Sequence, residues 1–446
     1  MARCGARGGR RNGRGRTAMT AAGLAMRGQR VHGGVHADAS RPTRRRFAAL
    51  VALFLLVIVS VIPWRPQSFY AGGLDPVVVA KAAIALVALG GAVGLTLFTR
   101  RRMPVGLGPA AVIAVTLMIS LLGGVVAGNG SATTVLVMRV FIVMATLLLL
   151  LTNAPWDRAV AALLTAMGIL AVVAATTGAR TLVKGRLGGG IPEIHPNELA
   201  GLAALPLIAL VVLILRRGVR VSAVIASVVL FGIVVATGSR IALVGILFGA
   251  IVALVTNGVR RRGVLYALLV FVPVIYGVIV FTGVVDGLAS RGGTSAESTA
   301  LDSRLTGWQV VLGWDWASWQ RWLGVGLSVK EVAVQEKWRS SQVLDSSWVS
   351  LLAQAGLLGV LLIGLLVAWC VITAVTAASR RGLLLPLLTM FVIRTFTESG
   401  MVDSAMPFVL FVTLSALLTR RSRQASGPPG HENQTRARSV TMPGVR

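Results

Sequence analysis

The sequence predicts an all-α polytopic membrane protein with about twelve transmembrane helices. Of its 446 residues, 55% are hydrophobic and only 13% are charged, and the mean hydropathy is +0.80. No soluble globular domain has such a composition. Apolar runs of roughly 16 to 25 residues recur from Phe47 to Thr419, and each is long enough to cross the hydrocarbon of a bilayer.

The twelve predicted spans follow one another with short polar gaps. We place them at 47–62, 75–98, 107–127, 131–152, 158–177, 197–215, 221–237, 241–257, 264–285, 346–377, 383–397 and 405–419. Residues 286–345, between the ninth and tenth helices, form a large extracytoplasmic loop, and 178–196 form a second long outer segment. Long connections of this kind are where function is commonly found.

Arginine clusters set the predicted orientation of the spans in the cell membrane. They fall on alternate connections, near 44–46, 100–102, 158, 216–220, 260–262, 380–381 and 420–423. Connections rich in arginine stay in the cytoplasm, so both termini are expected there. The domain organisation follows: a disordered basic tail at 1–46, a transmembrane domain at 47–420 and a disordered tail at 421–446.

The formal net charge of +29 does not indicate a nucleic-acid partner. Most of the basic residues lie between apolar runs, where they act as topology signals and contact anionic membrane lipid. The two cysteines, Cys4 and Cys370, lie in a tail and within a span, so they support neither a disulfide framework nor a metal cluster.

Several cations lie on the predicted outer side, where the positive-inside bias does not place them. They are Lys81, Arg139, Arg186, Arg240, Arg304 and Arg394. A charge within a span needs a partner or a ligand, and guanidinium groups match phosphate oxygens bidentately. These residues therefore predict an outward-facing cationic cavity that binds a lipid-linked phosphate or diphosphate.

The same cations could instead form structural ion pairs. Arg139 or Lys81 could pair with Glu198 or Glu398, and Arg304 could pair with Asp302. Glu398 is also close in sequence to Arg394, which favours a salt bridge between the two over a role for Glu398 as a base.

The large outer loop holds most of the tryptophans. At helical spacing, one face of an amphipathic helix lying on the outer leaflet would carry Trp308, Leu312, Trp316, Trp319 and Leu323. These rings form either an interfacial aromatic belt or a platform on which sugar rings stack.

Three groups of motifs carry a family resemblance. The first runs from Arg186 to the segment 195–200, His-Pro-Asn-Glu-Leu-Ala, and the second is Thr-Gly-Ser-Arg at 237–240. The third comprises Asp-Ser-Arg at 302–304, Leu-Gly-Val-Gly at 323–326, Asp-Ser-Ser-Trp at 345–348 and Gly-Leu-Leu-Gly at 356–359. In this order they resemble the O-antigen ligase and polymerase superfamily of membrane glycosyltransferases, over most of residues 47–420.

The resemblance implies a polyprenyl-diphosphate-linked glycan as donor, a saccharide acceptor and a role in cell-envelope polysaccharide assembly. It implies no cofactor, no nucleotide sugar and no metal. It assigns Arg240 and Arg304 to the diphosphate, which they would stabilise as a leaving group. The remaining outer cations and one histidine are the further candidates for substrate binding: Arg186, Arg139, Arg394, Lys81 and His195.

Asp345 is the candidate general base and the point of departure from the family. Ligases of the family carry a histidine there, so the aspartate favours a polymerase-like member. A carboxylate can also take a proton from a sugar hydroxyl, but Asp345 could simply cap the following helix. His195 is a conceivable alternative base, although His-Pro before a helix is commonly a turn element.

Two other classes compete with the glycosyltransferase interpretation. Twelve spans are also common in transporters and flippases, but the two halves of the chain show no clear internal repeat. A scaffold protein would explain neither the outer cations nor the loop motifs. The family chemistry also leaves open an O-antigen-type ligase that uses another acceptor.

Overall fold

The computed structural model describes residues 41–63, 76–99, 102–258, 305–336, 339–377 and 380–419. The two predicted tails, the predicted ninth span at 264–285 and the candidate Arg304 lie outside the described residues, apart from the tail residues nearest the first helix.

The described chain is mostly helical. Its first part contains α1 (Arg41–Val61), α2 (Pro76–Leu97), α3 (Gly108–Val126), α4 (Gly130–Thr152), α5 (Trp156–Thr177), a 3₁₀ helix (Ala179–Lys184), α6 (Pro196–Arg217), α7 (Val221–Thr237) and α8 (Arg240–Asn257). Its second part contains α9 (305–312), α10 (Trp319–Leu323), β1 (Glu331–Glu336), β2 (Arg339–Val343), α11 (Ser347–Thr376), α12 (Arg381–Thr395) and α13 (Met406–Leu418).

Seven of the described helices are long and apolar enough to cross a membrane: α2, α3, α4, α5, α6, α8 and α11. The helices α7 and α13 are apolar but shorter. A multi-pass helical architecture is therefore confirmed. The total of twelve spans and the extent of the large loop remain predictions.

The helix α13 forms the centre of the bundle. Every one of its residues is buried, and it contacts α3, α4, α11 and α12. Phe411 of α13 stacks on Phe391 of α12 with the ring centroids 5.3 Å apart. A helix that is apolar on all sides is stable only where other helices surround it, which explains its position.

Contacts at the helix ends fit the alternating orientation predicted for the spans. At the end predicted to be cytoplasmic, the Met103 amide donates to the Thr152 carbonyl at 2.8 Å. At the same end, Arg216 Nε donates to Asn257 Oδ1 at 2.6 Å, and Asn257 Nδ2 donates to the Gly382 carbonyl at 2.8 Å. Which side of the membrane this end faces remains a prediction.

The amphipathic helix predicted across the loop tryptophans is wrong as a continuous element. The chain leaves the helical conformation after residue 312 and resumes it at Trp319. Between them, Asp315 Oδ1 accepts from the Ala317 amide at 3.1 Å, and Ser318 Oγ caps α10 by accepting from the Arg321 amide at 3.4 Å. This local turn chemistry overrides the helical spacing of the tryptophans.

The outer loop docks into a break in α11. Gly356 has φ 66° and ψ −170°, which interrupts the helix. Beside the break, the Val325 amide donates to the Ala353 carbonyl at 2.8 Å, and the Gly326 amide donates to the Gln354 carbonyl at 3.2 Å. A Cβ at Gly356 would collide with the backbone of Trp322, so only glycine lets the loop approach so closely. The loop and α11 are thus one packed unit.

Candidate functional site

The N-terminus of α6 organises the first group of candidate residues. His195 is the N-cap, and its Nδ1 accepts from the Asn197 amide at 3.4 Å. Pro196 occupies the first helical turn, where its fixed φ suits helix initiation and its missing N–H has no cost. The structure thus gives His195 the turn role that was one of its two predicted alternatives.

Asn197 joins this helix to two arginines. Arg186 donates from Nη2 to Asn197 Oδ1 at 2.9 Å and from Nε to the Thr237 carbonyl at 2.9 Å. Arg394 Nη2 lies 3.5 Å from the Asn197 carbonyl oxygen. We call Arg186, Asn197, Glu198 and Arg394 the Asn197 network.

Arg394 is the buried member of this network, with 5% of its surface exposed. Its Nη2 lies 3.6 Å from Glu198 Oε1. From the sequence, Glu198 was one candidate ion-pair partner of Arg139 or Lys81, but in the structure it pairs with Arg394. A Cβ at Gly201, one turn further along α6, would collide with the Arg394 guanidinium, so Gly201 makes the space in which this side chain lies.

Arg240 lies at the predicted helix break. The helix α7 ends at Thr237, Gly238 adopts φ 63°, and Arg240 begins α8 with an exposed side chain. Because the Thr237 carbonyl accepts from Arg186, this break is tied directly to the Asn197 network. A helix N-terminus that also carries an arginine favours an anion electrostatically.

Asp345 lies just before α11, on a segment held at both ends. The Leu344 amide donates to the Lys330 carbonyl at 3.1 Å, and Ser347 Oγ donates to the Glu398 carbonyl at 2.6 Å. The N-cap of α11 is Ser346, without a side-chain cap bond, so Asp345 is not the N-cap residue that one alternative made it. Its half-buried side chain follows the loop and precedes the helix.

A second group of charges surrounds Asp403. Lys330 Nζ lies 2.6 Å from Asp403 Oδ2, and Arg139 and Lys81 both interact electrostatically with the same carboxylate. Arg139 Nη2 also donates to the Ser60 carbonyl at 2.6 Å. We call Lys81, Arg139, Lys330 and Asp403 the Asp403 cluster. Lys330 and Asp403 were missed from the sequence, although both lie in segments predicted to be outside.

The interactions of the described candidates place them in two groups. Arg186 and Arg394 meet at Asn197, with His195 beside them and Arg240 three residues from an anchored carbonyl. Lys81 and Arg139 both interact electrostatically with Asp403, which pairs directly with Lys330. The segment that carries Asp345 contacts the chain next to both groups.

Four of the loop tryptophans that the structure describes form two sets. Trp308 and Trp314 pack against a buried cluster that includes Val311. Trp316 and Trp322 are 63% and 40% exposed, with their ring centroids 6.5 Å apart in an edge-to-face arrangement. This exposed pair is compatible with both predicted uses, an interfacial belt and a sugar platform.

Part of the chain is similar to a known protein family. A family model described as O-antigen ligase matches residues 225–364. The matched segment includes the helix break at Arg240, the loop that docks into α11 and Asp345. No curated protein matches the chain significantly.

The matched domain suggests lipid-linked glycan transfer in envelope assembly as the general role, with lipid-linked glycan and saccharide substrates. The described helices add a multi-pass membrane architecture. Over residues 225–364, the chain is similar to the O-antigen ligase family, and this match supports the resemblance to the O-antigen ligase and polymerase superfamily.

Proposed function

We propose that the protein is a glycosyltransferase that polymerises polyprenyl-diphosphate-linked saccharides on the outer face of the cytoplasmic membrane. The observation that carries this proposal is the Asn197 network beside Arg240. Two arginines from distant segments converge on one asparagine, next to a helix N-terminus that begins with a third arginine. Such a site suits a diphosphate.

The way Arg186 is held favours an anionic ligand. Two of its contacts are with neutral oxygens, those of Thr237 and Asn197, and these orient the guanidinium. Charge fixed in place before the reaction stabilises a leaving group without a reorganisation cost. We assign Arg186, Arg240 and Arg394 to the donor diphosphate, together with Arg304 from the outer loop.

The proposed reaction is an inverting displacement at the anomeric carbon of the donor. An acceptor hydroxyl oxygen forms the new bond to that carbon, and its proton passes to the Asp345 carboxylate. The bond from the anomeric carbon to the phosphate oxygen breaks, and polyprenyl diphosphate leaves with the bonding electrons. Arg240 and its neighbours stabilise the negative charge that develops there.

The first test is product formation by the purified protein with a lipid-linked oligosaccharide. We expect Arg240→Ala to lower the rate by about 100-fold or more. Removing one preplaced donor that stabilises developing negative charge has an effect of that order in other enzymes. Asp345→Asn should lower it by at least about 100-fold, since the amide cannot accept the proton. Product size on a gel distinguishes a polymer ladder from a single ligation.

The matched control is Arg217→Ala. Arg217 is an exposed arginine at the opposite end of α6, so it has the same charge and exposure but no place in the site. We expect wild-type product from it. Normal synthesis by Arg240→Ala and Asp345→Asn together would refute the assignment, and a single transferred block in place of a ladder would favour a ligase.

The break in α11 is the feature that favours a transporter, because discontinuous helices line substrate paths in that class. Here, however, loop amides from Val325 and Gly326 bond to carbonyls beside the break. The break therefore serves to dock a loop. If labelled lipid crossed a reconstituted bilayer while no product formed, the transporter interpretation would replace ours.

A further inference from the structure

The Asp403 cluster contains more buried charge than a structural ion pair requires. Lys81 is 5% exposed within the spanning part of α2, and Arg139 lies in the spanning helix α4. Lys330 and Asp403 pair at 2.6 Å with side-chain exposures of 13% and 7%. Charges in spanning helices are costly, and they commonly mark a functional site.

One carboxylate is shared by three cations. The electrostatic interactions of Lys81 include repulsion from Arg139 and Lys330 and attraction to Asp403. Like charges brought this close destabilise one another unless an anion lies among them. In addition, the buried Nε of Arg139 has no hydrogen-bond partner among the residues that the structure describes. A buried donor of this kind points to a ligand or a water as its partner.

The outer loop fixes Lys330 over the spanning helices. Thr133 Oγ1 of α4 lies 3.0 Å from Ser328 Oγ, and Gln354 of α11 donates to the Val329 carbonyl at 3.3 Å. Lys330 follows directly in the chain. The cluster thus has two cations from the bundle and one from the loop, all of which interact with the Asp403 carboxylate.

We propose that the Asp403 cluster binds the diphosphate of a second lipid-linked saccharide, the acceptor. Asp403 holds the three cations together in the empty site, and an acceptor diphosphate takes its place between them. The inference rests on the proposed function, because it names the acceptor of that reaction. It also assigns each substrate to its own site, the donor to the Asn197 network and the acceptor to the Asp403 cluster.

The position of Asp345 supports this division of roles. Its segment bonds to Lys330 through Leu344 on one side and to the Glu398 carbonyl through Ser347 on the other. Glu398 lies three residues after the end of α12, and its amide donates to the Arg394 carbonyl at 2.9 Å. A base located between an acceptor site and a donor site is where a proton must be removed as the new bond forms.

The test counts bound lipids. Full-length protein in nanodiscs of phosphatidylcholine is mixed with a labelled polyprenyl-diphosphate-linked oligosaccharide, and native mass spectrometry gives the number bound per protein. We expect two in the wild type, and one in both Lys330→Gln and Arg186→Gln at the same lipid concentration. Lys330→Arg, which keeps the charge, should restore two.

The matched control is Glu331→Gln, a change of one charge at the next residue, which should still bind two lipids. A thermal unfolding curve for each variant separates loss of a site from loss of the fold. Two lipids bound by a folded Lys330→Gln, or one bound by the wild type, would overturn the inference.

The two proposals fail in different ways. If the wild type bound one lipid, Arg186→Gln none and Lys330→Gln one, the donor site would be supported and the acceptor site refuted. Unchanged binding in Arg186→Gln would instead remove the donor site. If phosphatidylglycerol displaced the second lipid as well as the unlabelled oligosaccharide lipid does, the cluster would be a phospholipid site and the inference would be wrong.

Discussion

The Asn197 network and the Asp403 cluster hold cations at the same end of the bundle in different ways. In the network, Arg186 donates to a carbonyl and an amide oxygen, and the Glu198 carboxylate lies 3.6 Å from Arg394. In the cluster, Lys330 pairs with the Asp403 carboxylate at 2.6 Å. Neutral acceptors keep a cation oriented and charged toward a ligand, whereas a carboxylate must be displaced before a ligand can use the same cation.

The difference separates a preformed site from an exchange site. A diphosphate entering the network meets arginines already in place, which is what transition-state stabilisation requires. A diphosphate entering the cluster has to compete with Asp403, so its binding is weaker and more easily reversed. A polymerase needs both properties, because it retains the leaving group during reaction and exchanges acceptors between cycles.

Among the substitutions that test this difference, the one at Asn197 is expected to have the largest effect. Asn197→Leu keeps the side-chain size but removes the oxygen that orients Arg186, and it disturbs the turn whose carbonyl contacts Arg394. We expect the transfer rate to fall by about 100-fold, since small misplacements of binding groups have effects of that order. The measurement is the initial rate with saturating donor and acceptor.

Asn257→Leu is the matched control for this change. Asn257 has the same function at the other end of the bundle, where it accepts from Arg216 and donates to the Gly382 carbonyl. Both variants should lose similar thermal stability, but only Asn197→Leu should lose activity per folded molecule. Equal losses of activity would mean that Asn197 has a structural role alone.

Much of the bundle could be predicted from hydropathy alone. The predicted spans at 107–127 and 131–152 correspond to α3 (Gly108–Val126) and α4 (Gly130–Thr152). Continuous apolar runs of that length are typical of helices that cross a membrane. The outer location of the cations also followed from sequence, since the positive-inside bias makes each one an exception. These signals are local in the chain.

The pairing of side chains could not be predicted, because it depends on which helices become neighbours. The sequence made Glu198 one candidate partner of Arg139 or Lys81, and the packing of α6 against α12 pairs it with Arg394. Lys330 and Asp403 each lack a motif, and only the docking of the loop at Gly356 brings them together. Contacts of this kind, between residues far apart in the chain, produce no periodic pattern in the sequence.

A smaller effect is expected from Gly201→Ala, which tests the network through Arg394 alone. The new methyl group would occupy the space of the Arg394 guanidinium and push it away from Glu198 and the Asn197 carbonyl. Arg186 and Arg240 would keep their positions, so we expect the initial transfer rate to fall by about tenfold rather than about 100-fold.

Gly168→Ala is the matched control, because it also replaces a glycine within a helix by alanine. In α5, the atoms nearest a Cβ at Gly168 belong to Pro206 at 3.8 Å, which is ordinary contact. Alanine there should raise helix stability by about 1 kcal/mol and leave transfer unchanged. If Gly201→Ala also behaved in this way, the location of Arg394 would not matter for the reaction.

The smallest effect is expected at Thr133, which tests the cluster without touching a charge. Thr133→Val keeps the shape but removes the contact with Ser328 that fastens the loop before Lys330. One such hydrogen bond contributes about 1 kcal/mol, so the acceptor concentration for half-maximal rate should rise by up to about fivefold, with the saturated rate unchanged. Thr134→Val removes only a bond to the carbonyl of Gly130 in its own helix and should change neither quantity. An effect of Thr133→Val on the donor requirement instead would place the donor, not the acceptor, at the Asp403 cluster.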